Sequence, residues 1–173
     1  AMFAANKDSS KTPAEQRRKA RYQAKRKMES LRALIGIETA TLLELDAPTI
    51  TSTVIESAME YAGLVVVDGG NTFYLHKHMK HSGFWYTAMP ALLGGCVYVG
   101  ASAGGIVAGR SIKTAFWKGW DDPMLGGEEY RDLEKNKDNL FGADLCRGDS
   151  FFMHYEPSKH DELLELKQKT KSE

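Results

Sequence analysis

Two short apolar runs, each ending in glycine, constrain this sequence more than any other feature. The first is LVVVDGG at residues 64–70, and the second is CVYVG at residues 96–100, which continues into the small-residue segment ASAGGIVAG. A continuous apolar run of this length is typical of a strand buried on both faces of a parallel sheet. Because residues with helical spacing separate and follow the two runs, the sequence predicts an α/β protein with a mostly parallel, doubly wound sheet.

Further elements are predicted on both sides of these strands. The chain has 173 residues, which is the length of a single α/β domain, so one domain over residues 1–173 is expected. Strands are predicted from β-branched, apolar or aromatic composition, and helices from apolar spacing and from Gly or Pro at their ends. The expected strands are residues 37–46, 111–116 and 150–156; the expected helices are residues 54–62, 71–95 with a break near Ser82 and Gly83, and 157–173.

Both glycine clusters follow predicted strands directly. Residues 68–71 (DGGN, here called the glycine loop) follow the first strand, and residues 100–105 follow the second. In open α/β sheets, ligands bind beyond the carboxyl ends of the strands. We therefore expect the functional site where these two clusters meet.

Composition and charge exclude several classes of protein. The chain has 23 basic and 23 acidic residues, and its apolar runs are too short to span a bilayer, so no integral membrane protein is expected. Cys96 and Cys146 are the two cysteines and lie far apart, which favours a reducing, cytoplasmic compartment over secretion. Ala1 precedes Met2, so we expect a cloning scar or a chain cut from something longer, without a secretory signal peptide.

Positive charge is concentrated near the start of the chain. Residues 7–32 contain ten Lys or Arg and three acids. The favoured interpretation is a solvated helix that begins near Pro13. Binding to nucleic acid or to an anionic membrane, or a transit peptide, are the alternatives. No zinc-finger spacing or aromatic RNA-binding motif accompanies the charge, which disfavours nucleic acid.

Residues 100–104 (GASAG) match Gly-x-Ser-x-Gly, the nucleophile elbow, in which a tight turn from strand to helix exposes a serine. Ser102 is therefore the candidate nucleophile. The N–H of Ala103 would lie at the start of a helix, where donors are unpaired and can stabilise an oxyanion. Small-residue helices match this motif by chance, but the buried strand before it and the helix after it favour the elbow.

A serine nucleophile needs a general base. His154 ends the apolar run SFFM, so a strand would carry it to the same edge of the sheet as Ser102, and it is the candidate base. The other four histidines are expected at the surface, and no carboxylate stands near them at a spacing that suits a metal ion, so no metal site is predicted. Those histidines are His76, His78, His81 and His160.

Three blocks in this order, VVVDGGNTFYL, YVGASAGGIVAG and FFMHYE, resemble the alpha-aspartyl dipeptidase (dipeptidase E) family of serine peptidases, which includes cyanophycinase-like members. The resemblance runs from about residue 37 to residue 155. It implies a three-layer α/β/α sandwich related to the class I glutamine amidotransferases. Those enzymes carry a cysteine at the elbow, and Ser102 argues against their chemistry here.

The resemblance also implies roles for individual residues. Ser102 would be the nucleophile and His154 the base, with the N–H groups of Gly70 and Ala103 forming the oxyanion hole. Gly69 and Asn71 would shape the loop that contacts the substrate. The implied reaction is hydrolysis of short peptides, chiefly dipeptides with an N-terminal aspartate, by a serine hydrolase that needs no cofactor. Arg110 and Lys118 are candidates for the cation that binds the substrate carboxylate.

The sequence departs from the family pattern at both ends, and the third member of a catalytic triad stays open. Family members have a further strand near the start and more strands after the histidine, so we expect this domain to be incomplete at both ends. Asp121 and Asp122 resemble a site-lining aspartate and would orient His154 or contact substrate; the alternative is a solvated Asp-Asp-Pro turn. Glu156 shares the face of His154 only if the strand persists.

A sheet that lacks terminal strands exposes edges that pair with other chains. The expected partners are accordingly a small peptide substrate and a second chain, such as a second copy in a homodimer, with no membrane partner. An alternative function follows from the expected lack of terminal strands. The chain would then be a catalytically inactive scaffold or assembly subunit derived from the family.

Overall fold

Six helices and one small parallel sheet form the protein in a computed structural model that describes residues 12–117, 119, 121–131 and 137–169. The elements are α1 (Pro13–Ile35), α2 (Ser52–Met59), β1 (Leu64–Val67), α3 (Thr72–His81), α4 (Phe84–Leu93), β2 (Val97–Gly100), α5 (Ala103–Ala108) and α6 (Pro157–Lys169). Short 3-10 helices lie at Ile112–Phe116, Pro123–Leu125, Glu128–Tyr130 and Lys137–Leu140. The predicted α/β class is confirmed.

Strands β1 and β2 pair in parallel with Leu64 opposite Val97 and Val67 opposite Gly100. Side chains alternate along a strand, so Val65, Val67 and Tyr98 share one face, which packs on the hydrophobic core. The buried centre of that core comes mainly from α2, α3, α5 and the 3-10 helices: Ile55, Phe73, Met79, Ala88, Val107, Ile112, Tyr130 and Leu140.

The opposite face of the sheet is largely open. Val66, Val97 and Val99 are 39%, 56% and 46% exposed, although all three are apolar strand residues. Helix α1 covers only part of this side, where it encloses a cleft of about 860 Å³ with β1 and residues 37–45. The described residues therefore contain an α/β core with two strands, smaller than the doubly wound sheet that the sequence predicts.

The predicted strand at residues 37–46 is wrong. These residues form no strand and no ladder with β1, because the cleft separates the two segments. Side chains attach the segment instead: Leu45 is buried, and Asp46 accepts a hydrogen bond of 2.9 Å from the hydroxyl of Tyr74. The composition of a strand without a neighbouring strand at hydrogen-bonding distance is not sufficient to form one.

Two further strands are predicted incorrectly, and both segments contain a different structure. Residues Ile112–Phe116 form a 3-10 helix, and the Ser111 hydroxyl caps it by accepting from the N–H of Lys113. Residues 150–156 form neither strand nor helix until α6 begins at Pro157. The predicted break in the central helical region is confirmed, because α3 ends at His81 and α4 begins at Phe84 after Gly83, which adopts φ 70°.

Helix α1 begins and ends with local signals. Thr12 and Glu15 form a capping box, Pro13 is the first helical residue, and Gly36 ends the helix in the left-handed conformation. The start near Pro13 is confirmed. No helix in the described part of the chain combines the length and the apolar character that crossing a membrane requires.

Part of the basic segment holds α1 to the body of the protein. Arg21 contacts Glu44 at 3.2 Å, Arg17 contacts Asp46 at 3.8 Å, and Lys27 contacts Asp68. Lysines 7 and 11 lie outside the described residues. Because three basic side chains of α1 form ion pairs with carboxylates, the positive charge of this helix attaches it to the rest of the protein as well as keeping it solvated.

Candidate active site

The turn between β2 and α5 has the geometry of a nucleophile elbow. β2 ends at Gly100, α5 begins at Ala103, and Ser102 between them adopts φ 52° and ψ −113°. A side chain at Gly100 would lie 2.5 Å from the carbonyl oxygen of Gly104, closer than atoms can approach. The predicted strand–turn–helix is confirmed, and its small residues are required because the two arms of the turn touch.

The elbow is fixed against the neighbouring strand. The N–H of Ala101 donates to the carbonyl of Val67 at 2.9 Å, and a Cβ at Gly104 would lie 2.2 Å from that same oxygen. The hydroxyl of Tyr98 donates to the carbonyl of Gly104 at 2.7 Å. Ser102 is therefore held in an uncommon backbone conformation by close contacts on both sides.

The glycine loop passes directly beside Ser102. A Cβ at Gly69 would be 3.1 Å from the Cβ of Ser102, and Gly70 adopts φ 139°, which favours glycine. Asn71 caps α3, since its side-chain oxygen accepts from the N–H of Tyr74 at 2.9 Å, and its amide donates to the carbonyl of Asp122 at 3.0 Å. The structure thus brings the two glycine clusters together.

Two N–H groups near Ser102 have no hydrogen-bond acceptor within the described part of the chain. These belong to Gly70 in the glycine loop and to Ala103, the first residue of α5. The first N–H groups of a helix have no partner inside it. Both groups are therefore available to an oxygen atom of a ligand.

His154 reaches Ser102 from a distant part of the sequence. Its Nε2 lies 2.7 Å from the Ser102 Oγ, and its backbone has a positive φ of 56°, which is uncommon for histidine. It lies on residues 149–156, called here the return segment. A serine hydroxyl bonded to an imidazole nitrogen can transfer its proton to that nitrogen as the oxygen attacks a carbonyl.

Hydrogen bonds to the chain after α5 anchor the beginning of the return segment. The N–H of Arg110 donates to the carbonyl of Asp149 at 2.7 Å, and the N–H of Ser111 donates to the hydroxyl of Ser150 at 3.1 Å. The buried Thr114 hydroxyl donates to the carbonyl of Phe151 at 2.6 Å. Although residues 150–156 do not form the predicted strand, these bonds hold the return segment so that His154 lies beside Ser102, at the carboxyl ends of β1 and β2.

The structure distinguishes Asp121 from Asp122. One oxygen of Asp121 accepts from both the N–H and the hydroxyl of Thr72, at 3.2 and 2.5 Å, at the start of α3. The carboxylate of Asp122 instead accepts from the N–H of Met124 at 3.0 Å and caps the following 3-10 helix. Asp122 therefore has the structural role of the predicted turn, and Asp121 is the remaining candidate for an acid at the site.

Burial raises the pKa of the Asp121 carboxyl above its usual range, and this outweighs the lowering by the Thr72 donors and by the nearby His154 imidazole. A cationic imidazole favours the ionised form of a carboxyl, which is the direction of the His154 contribution. Thr72 is completely buried and was not among the site residues expected from the sequence. Its position directly after the glycine loop, at the start of a predicted helix, was the available signal.

Other candidates lie away from Ser102 or have structural partners. Arg110 follows α5, whose six residues put about 9 Å of helix between it and the elbow. The Glu156 carboxylate lies 2.5 Å from the Lys159 ammonium, and the strand on which its role depended is absent. Lys118 lies outside the described residues.

The surface location expected for His76 is wrong. Its ring is 3% exposed and lies between the Tyr130 hydroxyl and the Phe141 carbonyl, at 2.7 Å from each. Burial lowers its pKa, which favours the neutral ring. His78 is half-buried against Tyr74, and His81 is exposed. Among the described residues, no group of three His, Cys, Asp or Glu side chains could hold a metal ion.

Comparisons with known proteins find peptidases among the relatives of this chain. An uncharacterized peptidase of Listeria innocua is 29% identical over 105 residues, which cover 61% of this chain and 47% of that protein. The crystal structure of a candidate peptidase E protein from Listeria monocytogenes matches with a TM-score of 0.54 at 21% identity, covering 72% of this chain and 55% of the other. The chain thus spans about half the length of these relatives.

A family comparison covers the larger part of the chain. The sequence model of peptidase family S51 matches residues 14–123, a region that includes the glycine loop, the elbow and Asp121. His154 lies beyond the matched region. The match and the relatives confirm the resemblance noted from the three sequence blocks, and the chain belongs to peptidase family S51.

Proposed function

We propose that this chain is a serine hydrolase that cleaves short peptides, with Ser102 as nucleophile and His154 as general base. The observation that carries the proposal is the 2.7 Å hydrogen bond between the Ser102 Oγ and the His154 Nε2, with Ser102 in a strained turn. Ser102 attacks the peptide carbonyl while His154 takes its proton, and His154 then returns the proton to the leaving amine. Water then attacks the acyl-enzyme while His154 takes its proton, and His154 returns that proton to the Ser102 Oγ as the acid product leaves.

The oxyanion of the tetrahedral intermediate would be stabilised by the N–H groups of Gly70 and Ala103. Support comes from their lack of acceptors within the described residues and from the contact of Gly69 with Ser102. Preorganised donors of this kind contribute more to catalysis than any other single element in many enzymes. Asn71 would hold the loop in place through its bonds to Tyr74 and Asp122.

Asp121 would act on His154 as a positioning residue, by electrostatic attraction to the imidazolium that forms during the reaction. The support is the lowering of the Asp121 pKa by the His154 imidazole and the fixed position of Asp121 on Thr72. An acid in this role holds the imidazolium without itself becoming protonated.

The finer points of function follow from the family resemblance. We propose substrates with an N-terminal aspartate, a cytoplasmic location, no cofactor, and the three-layer α/β/α architecture related to class I glutamine amidotransferases for the complete fold. The aspartyl preference is tested with Asp-Leu and Asn-Leu, two dipeptides that differ by one charge. Faster hydrolysis of Asp-Leu supports the preference, and equal rates contradict it.

Covalent labelling with a fluorophosphonate, followed by intact mass, tests the nucleophile. We expect one adduct on the wild-type protein, none on Ser102→Ala, and an unchanged adduct on Ser57→Ala, a matched control at an exposed serine of α2. His154→Gln should label about 10²- to 10⁴-fold more slowly, since the general base is lost. Absence of an adduct on folded wild-type protein would contradict the hydrolase.

The alternative, an inactive scaffold or assembly subunit, is favoured by the exposed valines of the sheet. Open apolar strand faces and edges are surfaces that another chain can cover. Sedimentation velocity distinguishes the two hypotheses: the scaffold requires a stable complex, with a homodimer as its simplest form, together with no labelling at Ser102. A labelled monomer excludes it.

A further inference from the structure

One ion pair joins the basic helix α1 to the first residue of the glycine loop. The Lys27 ammonium contacts one carboxylate oxygen of Asp68, which is 7% exposed, while the Lys27 side chain is 48% exposed. The second oxygen of Asp68 is buried and has no hydrogen-bond partner among the described residues. The buried carboxylate therefore depends on Lys27 as its partner in the described structure.

The glycine loop is fixed at its other positions by different contacts. Asn71 is held by its hydrogen bonds to Tyr74 and Asp122, and Gly69 lies against Ser102. Gly70, between them, adopts φ 139°, a conformation that residues with a side chain rarely adopt. The Lys27–Asp68 pair holds the first residue of the loop by a side-chain contact, in addition to the backbone hydrogen bond from Ala101 to Val67 at the end of β1.

The other ion pairs of α1 provide a contrast. Arg21 contacts Glu44 and Arg17 contacts Asp46, and both acids lie on residues 37–46, away from the loop. These two arginine side chains are about 60% exposed, as is usual for pairs that contribute little to stability. Lys27 differs because its partner is buried and directly precedes Gly69.

We propose that Lys27 and Asp68 are positioning residues that hold Gly69 and Gly70 against Ser102 and thereby set the geometry of the oxyanion hole. This inference rests on the proposed function. Loss of the ammonium leaves a buried carboxylate without its counter-ion, and such a group moves toward water. Because Asp68 is bonded directly to Gly69, that movement displaces the loop from the nucleophile.

The experiment compares Lys27→Met with Arg21→Met, which removes an ion pair from the same helix without touching the loop. Each protein is labelled with ¹⁵N-glycine for NMR, and the fluorophosphonate reaction is resolved into kinact and KI. In Lys27→Met we expect the Gly69 and Gly70 signals to shift and kinact to fall roughly 10- to 100-fold, with KI within about twofold. Arg21→Met should match the wild type, and Lys27→Arg should restore both readouts.

A purely structural role for Lys27 would lower thermal stability without moving these two glycine signals or kinact, and that result overturns the proposal. If Lys27→Met does not fold, Lys27→Gln replaces it, with the same expected direction. If the wild-type protein forms no adduct, the hydrolase assignment fails, and the glycine signals alone decide: a shift specific to the Lys27 variants supports positioning, and its absence overturns it.

Discussion

Ser102 lies at the junction of a paired strand and a helix, whereas His154 lies on a return segment without strand or helix. The Ser102 half is fixed by backbone contacts between β1, β2 and α5 that leave no room for a side chain at Gly100 or Gly104. The His154 half is fixed by three hydrogen bonds at residues 149–151 and by side-chain packing after them.

The difference shows that the proposed catalytic pair is assembled from one element held by backbone contacts and one held by side-chain contacts. Contacts between backbone atoms cannot yield without moving whole strands, whereas a contact through a flexible side chain can be relieved by a change of rotamer. Substitutions in the first half should therefore act on folding, and substitutions in the second half should act on activity. Gly104 and Gly105 of α5 allow the two effects to be measured separately, because a Cβ at Gly104 would meet the backbone of β1 and a Cβ at Gly105 would meet the Met153 side chain.

The largest effect is expected for Gly104→Ala. Its new Cβ would lie 2.2 Å from the Val67 carbonyl oxygen, which belongs to β1, so the strand or the helix must shift. We expect the free energy of unfolding to fall by about 3 kcal/mol, measured by urea titration with circular dichroism. Gly63→Ala is the control, since nothing lies within 4 Å of its Cβ position. An equal change in both variants would contradict the rigid half.

A smaller effect on stability, but a clear one on activity, is expected for Gly105→Ala. Its Cβ would meet the Met153 side chain, with the terminal methyl carbon at 2.7 Å, and that side chain can move. Because alanine favours helix over glycine by about 1 kcal/mol, stability should change by no more than this. Met153 precedes His154, so labelling of Ser102 should slow roughly tenfold. Unchanged labelling would show that the return segment is as rigid as the elbow.

The smallest effect on stability is expected from the protonation of His76. This residue of α3 contacts Tyr130 and Phe141, which precede the return segment in the sequence. Burial lowers the pKa of His76 below 6.5 in the folded protein, so the unfolded chain binds this proton more readily. The stabilising contribution of the neutral ring is present above pH 6.5 and is lost as the pH falls below it. The half-buried His78, whose pKa is also lowered, adds to this trend.

Urea midpoints between pH 8 and pH 5 measure this dependence. We expect the urea concentration at the wild-type midpoint to decrease as the pH is lowered. The decrease should be smaller in His76→Gln, which has no imidazole at this position. His81→Gln, at an exposed ring on the same helix, is the matched control. Equal slopes in all three proteins would mean that protonation of His76 does not contribute to the pH dependence of stability.

Elements that depend on local signals could be predicted from the sequence. The runs at residues 64–70 and 96–100 predicted β1 and β2, Gly83 predicted the break between α3 and α4, and the elbow motif predicted the tight turn at Ser102. In each case the signal lies within a few residues of the feature, because turn geometry and burial on both faces restrict the allowed side chains locally. The choice of His154 rested on its place after an apolar run, and its position beside Ser102 was predicted.

Features that depend on distant partners could be read only from the folded protein. Residues 37–46 have the composition of a strand but no neighbour to pair with, and residues 150–156 reach Ser102 through hydrogen bonds rather than a ladder. His76 is buried because Tyr130 and Phe141 accommodate its ring, and Lys27 meets Asp68 across 41 positions of sequence. Pairing, burial and ion contacts are properties of two segments together, so no single segment encodes them.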